Sequence, residues 1–183
     1  FGAMRERGEV ARLQFPADRI KQAGNVLGEP FLDTILLCLE KGRLMLADDL
    51  TFRTLAKNDF KVDGVWIQPV LSALLGAGTI TKEIYNKAII NFAKSNYRYL
   101  SIDASMLVQS VEEPKETKWQ PSSGFHKVAV FLGGMLTSDE DSAVSVAGDF
   151  LYSLWTRPEA VFQRVFLAQA ALNHLIERRP PRP

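Results

Sequence analysis

Two adjacent carboxylates, Asp48 and Asp49, stand at the end of a short apolar run, Arg43-Leu-Met-Leu-Ala47. Leu50-Thr-Phe-Arg53-Thr-Leu-Ala56 follows at once with helical character. In an open α/β sheet, ligand chemistry collects just past the carboxyl end of a strand. Two acids there suggest a site for a hard divalent cation. Glu29 and Asp33, one helical turn apart, precede the run and can share a face. Carboxylates gathered in one place repel and raise each other's pKa unless a cation neutralises them. Mg²⁺ or Mn²⁺ suits such oxygen ligands, and either can orient water and stabilise charge on a phosphoryl oxygen. The catalytic candidates are therefore Asp48, Asp49 and Glu29, with Asp33 joining them as a metal ligand. Arg53 would contact phosphate or pin an acid. The same residues have a plainer use: Asp is a strong N-cap, so the carboxylates would start helices and never meet.

The elements that must position these groups are readable in order. Glu9–Phe15 alternates like a strand, and Asp18–Gly24 makes a short helix. Pro30 suits the first turn of a helix over Phe31–Lys41, with an apolar stripe of Leu32, Ile35, Leu36 and Leu39 and a stop at Gly42. Arg43–Ala47 reads as a buried strand, Leu50–Lys57 as a helix, Asn58–Lys61 as a turn and Val62–Ile67 as a second strand. Helix, strand, acidic turn, helix is the grammar of a parallel α/β unit. Helices follow over Pro69–Leu75 and, capped by Thr81, over Lys82–Ser95. Tyr97–Ile102 is β-prone, and Ser101 or Asp103 caps a helix reaching about Val111.

Residues 112–124 are polar, carry two prolines and read as a linker or long loop, with Trp119 as an anchor. Residues 125–178 are helical (Phe125–Leu136, Ser142–Thr156 and Glu159–Arg178). The last of these is so apolar that other helices, a protein partner or a second copy must cover it. Residues 179–183 form a basic, proline-rich tail, and Phe1-Gly-Ala-Met4 resembles a tag-cleavage scar.

The 183 residues carry a net charge of +1, which removes any global basic signature of nucleic-acid binding. Local groups such as Arg43, Lys57, Lys61, Lys94 and Arg98 would have to supply phosphate contacts. The lone Cys38 reads as a buried thiol; with no leader and no run of transmembrane length, the expected compartment is the cytoplasm. His126 and His174 have no zinc spacing and read as packed or surface residues. Ser122-Ser-Gly124 lacks the context of a nucleophile elbow, and neither Gly76-Ala-Gly78 nor Gly133-Gly134 is a phosphate loop.

The series Gly28-Glu29, Ile35-Leu-Leu-Cys-Leu39, and Leu46-Ala-Asp-Asp-Leu-Thr-Phe-Arg-Thr-Leu-Ala56 resembles the second half of PIN-domain nucleases. The likeness continues through Val62, Gly64, Val70-Leu71, Gly78-Thr-Ile80 and Tyr97-Arg-Tyr-Leu-Ser101, covering roughly residues 27–107. It implies a three-layer PIN-like α/β sandwich with a short parallel sheet over residues 5–111, followed by a C-terminal helical region. It further implies an acidic cluster binding Mg²⁺ or Mn²⁺ and cleavage of single-stranded RNA by metal-activated water. Glu29 and Asp48 or Asp49 would be the metal-site acids, with Asp33 a further candidate. The usual first strand, its terminal Asp and the helix after it find no counterpart before Glu29. The chain would then be an incomplete nuclease domain, or a degenerate PIN-like interaction or regulatory module working through its apolar C-terminal helices.

Overall fold

The computed structural model describes residues 15–111, 121–133, 140–156 and 163–177. The chain divides into two compact units, Phe1–Ala73 and Leu74–Pro183. The described residues are mostly helical, with one two-stranded parallel sheet in the first unit.

In the first unit, α1 (Ala17–Leu27) gives way to α2 (Glu29–Lys41) through Gly28, whose φ of 83° is open to glycine at little cost. Gly42, in the left-handed region, closes α2 and donates its N–H back to the carbonyls of Cys38 and Leu39. The chain then enters β1 (Met45–Leu46), α3 (Leu50–Phe60) and β2 (Gly64–Val65). The strands run parallel, with Met45 opposite Gly64 and Leu46 opposite Val65. Met45 N–H donates to the Asp63 carbonyl at 2.9 Å and Ala47 N–H to that of Val65 at 3.0 Å.

So short a ladder stabilises little, each backbone bond contributing about 1 kcal/mol net. Burial contributes more, at about 1.5–3 kcal/mol for each large apolar side chain. Leu32, Ile35 and Leu36 of α2 meet Met45, Ala56, Phe60 and Val62 in one buried cluster. That cluster fixes where the strands lie. It also carries α3 past the expected end at Lys57 to Phe60, whose ring is buried. Lys61 then takes the left-handed closing position with φ of 61°, a place more often held by glycine.

The unit boundary falls within α4 (Ile67–Gly76). In the second unit, Thr81, Asp103 and Ser122 cap α5 (Lys82–Lys94), α6 (Ala104–Ser110) and α7 (Ser123–Ala129). Each side chain accepts a backbone N–H of the first turn. A 3₁₀ turn (Val130–Leu132), α8 (Glu140–Thr156) and α9 (Arg164–Glu177) follow. α6 packs on α5, α7 and α8, while α9 packs on α7 and α8. Ile89, Leu107, Phe125, Val128, Phe150 and Leu167 lie at the centre, with the Phe125 and Phe150 rings 5.7 Å apart.

Several expectations change. Among the described residues, Arg43–Ala47 and Val62–Ile67 shrink to two paired residues each, and pairing stops just before α3 and α4 begin. Tyr97–Ile102 forms no strand: Asn96 and Tyr99 both adopt a φ of 60°, and no described strand lies beside them. The helix expected over Phe125–Leu136 tightens into the 3₁₀ turn after Ala129. α5 and α6 pack with the C-terminal helices, and the two compact units part at Ala73. Most of the strand expected over Glu9–Phe15, residues 112–120 with Trp119, and the tail 179–183 lie outside the described residues. Among the described residues no helix is long and apolar enough to cross a membrane.

Candidate functional site

The acidic turn sits where β1 leads into α3, and both its carboxylates are engaged. Asp49 is the N-cap of α3, with Oδ1 accepting the Phe52 N–H at 2.8 Å. Asp48 Oδ1 accepts the Ile67 N–H at 3.1 Å, across nineteen positions of chain. That bond joins the end of β1 to the first residue of α4, which follows directly on β2. Both side chains are exposed, so these bonds form in competition with water.

Arg53, one turn into α3, crosses back over the sheet. Its Nη1 donates to the Ala47 carbonyl at 2.6 Å, and its guanidinium lies 4.9 Å from the centroid of the Trp66 ring. The path depends on Gly64: a Cβ there would stand 2.7 Å from Arg53 Cγ and 2.9 Å from Cδ. Arg53 therefore ties α3 to the ends of both strands. Of its two expected uses the structure displays pinning, with a carbonyl and an indole as partners instead of an acid.

Glu29 opens α2, where a carboxylate suits the helix dipole. Its Oε1 folds back over α1, 2.8 Å from where a side chain at Gly24 would begin. Asp33 is half-buried one turn further along α2. A Mg²⁺ or Mn²⁺ ion needs several oxygen ligands converging on one point. Among the described residues no three His, Cys, Asp or Glu side chains form a group able to hold a metal ion. Glu29, Asp33, Asp48 and Asp49 accordingly form no such group of three.

Two further readings are sharpened. Cys38 is half-buried, and burial pushes its thiol pKa up against a weaker opposing pull from the Arg43 charge. The thiol is correspondingly disfavoured as a nucleophile. His126 and His174, forty-eight positions apart, are brought together in the second unit, Nδ1 to Nε2 at 3.0 Å. No spacing signal marks that pair, because it depends on how α7 packs against α9.

Residues 3–58 match the family model described as the PIN domain associated with the TPR-GreAB-C-PIN system. The match spans the acidic turn and supports a PIN-domain family for this part of the chain. No curated protein and no solved structure matches the chain.

Proposed function

We propose that this PIN-family segment is a reduced relative of metal-dependent nucleases, built around the β1–β2 pair, whose acidic turn serves the fold. On this reading the chain is a protein-interaction or regulatory module. The observation that carries it is the use of Asp48 and Asp49: each accepts a backbone N–H at an element junction, and the acids form no ion-holding group among the described residues. A partner would meet the apolar side chains that α8 and α9 leave exposed, among them Tyr152, Trp155, Phe166 and Ile176. That partner is a second protein or another copy of this chain.

A second reading keeps the nuclease activity. The family match over residues 3–58 and the position of the Asp pair at the carboxyl end of a parallel strand favour it. In that case single-stranded RNA is the substrate and Mg²⁺ or Mn²⁺ the cofactor.

A cleavage assay separates the two. The chain and its Asp48→Asn and Asp49→Asn variants are incubated with single-stranded RNA and Mn²⁺. The first reading expects no cleavage above background in any of them. Cleavage by the unmodified chain that either substitution abolishes would establish the second. Light scattering across a concentration series tests the apolar helices: self-association that Trp155→Glu reverses identifies a second copy as the partner.

A further inference from the structure

The second unit contains a cavity of about 330 Å³, within the range of small-molecule sites. Its polar groups come from three places. After α5 ends at Lys94, the chain turns through Asn96, whose φ of 60° is tolerable for asparagine, and contributes Arg98 to the lining. α7 contributes His126 and Lys127, and α9 contributes His174. Val130 and Phe131 supply an apolar wall.

The four basic side chains share the cavity with no carboxylate in its lining. His126 Nδ1 and His174 Nε2 are 3.0 Å apart, so one ring donates to the other. When His174 Nε2 donates, His126 carries its own proton on Nε2, which the pair does not consume. Lys127 Nζ donates to the Lys94 carbonyl at 2.6 Å, which anchors a cation at the negative end of α5. An ammonium has three donors, and that carbonyl takes one. Arg98 is an exposed residue of the lining, and its planar fork suits a phosphoryl group. A metal cation is poorly served: the histidines have no third His, Cys, Asp or Glu ligand among the described residues.

From this arrangement we propose that the cavity binds a phosphate monoester, with the phosphoryl oxygens facing Arg98, Lys127 and the His126–His174 pair and a small organic body against Val130 and Phe131. The site lies apart in the chain from the acidic turn and does not depend on the reading given to it.

Calorimetry and thermal melting of the full chain test it, with inorganic phosphate, ribose 5-phosphate and ZnCl₂ in separate arms. Arg98→Gln and His126→Gln change exposed side chains, and circular dichroism checks that each variant folds. The expected result is saturable one-to-one binding in a phosphate arm, with a raised Tm, weakened about tenfold by each substitution. Tighter binding of the ester than of inorganic phosphate supports the apolar wall's role; equal binding supports a phosphoryl-only site. Silence in both phosphate arms, or undiminished binding by both variants, overturns the proposal. Zn²⁺ binding lost in His126→Gln with phosphate silent also overturns it and reassigns the pair to metal.

Discussion

Asp48 accepts the backbone N–H of Ile67 at 3.1 Å, so the residue just after β1 holds the first residue of α4. With Asp49 capping α3 next to it, the two acids secure two different helix starts. Replacing Asp48 with Ala should cost about 1 kcal/mol, the scale of one hydrogen bond at an exposed site. Asn keeps the acceptor and should cost less than half as much. Urea midpoints of the two variants check this; equal losses would show that the bond to Ile67 contributes nothing.

Asp49 makes a separate prediction. Asp49→Ala removes the cap of α3 and should also cost about 1 kcal/mol, whereas Asp49→Ser should be near neutral. The comparison is again a denaturation midpoint. A serine variant as unstable as the alanine variant would mean that the carboxylate charge, not the cap, matters there.

Gly64 and Arg53 should be energetically coupled. Gly64→Ala places a methyl group against the Arg53 stem, a collision expected to cost about 1–3 kcal/mol. Shortening Arg53 to Ala removes the obstacle as well as the bond to Ala47 and the contact with Trp66. The double variant should therefore lose clearly less stability than the sum of the single ones. Additive losses would place the Gly64 effect elsewhere in the backbone.

Asp103 gives the second unit an acid-sensitive joint. Burial by itself raises its pKa. Hydrogen bonds from Lys82, Ser105 and the Met106 N–H, with the Lys82 charge, outweigh that and hold it below the usual value. Because the folded pKa is the depressed one, the carboxylate's stabilisation is fully present above the unfolded pKa of about 3.9. It is lost as pH falls through the lower folded pKa. Asp103→Asn keeps a capping side chain but has no such titration, so its stability should fall less steeply between about pH 5 and pH 2. Parallel melting curves over that interval are the check. Identical pH profiles would count against the assignment.

The helical half of this architecture was legible because its signals are local. The Leu32, Ile35, Leu36 stripe, the Gly42 stop and the Thr81 and Asp103 caps all act within one or two turns of the residues that encode them. The acidic turn was equally legible in position, and its two uses were both visible in the sequence. Illegible there were the contacts across the chain, Asp48 with Ile67 and Arg53 with Ala47, Gly64 and Trp66. Tyr97–Ile102 misled for a related reason: β-prone residues become a strand only beside a partner, and two of the neighbouring backbone positions turn left-handed instead. The His126–His174 pair left no local trace at all, being made by the packing of two helices.

The central claim, that Asp48 and Asp49 serve the fold and hold no ion, is tested most directly by titrating Mn²⁺ into the intact chain and its Asp48→Asn variant and measuring bound metal by electron paramagnetic resonance. The account predicts that neither protein binds Mn²⁺ saturably and that their titrations superimpose. Saturable binding of Mn²⁺ by the intact chain, lost in Asp48→Asn, would contradict it.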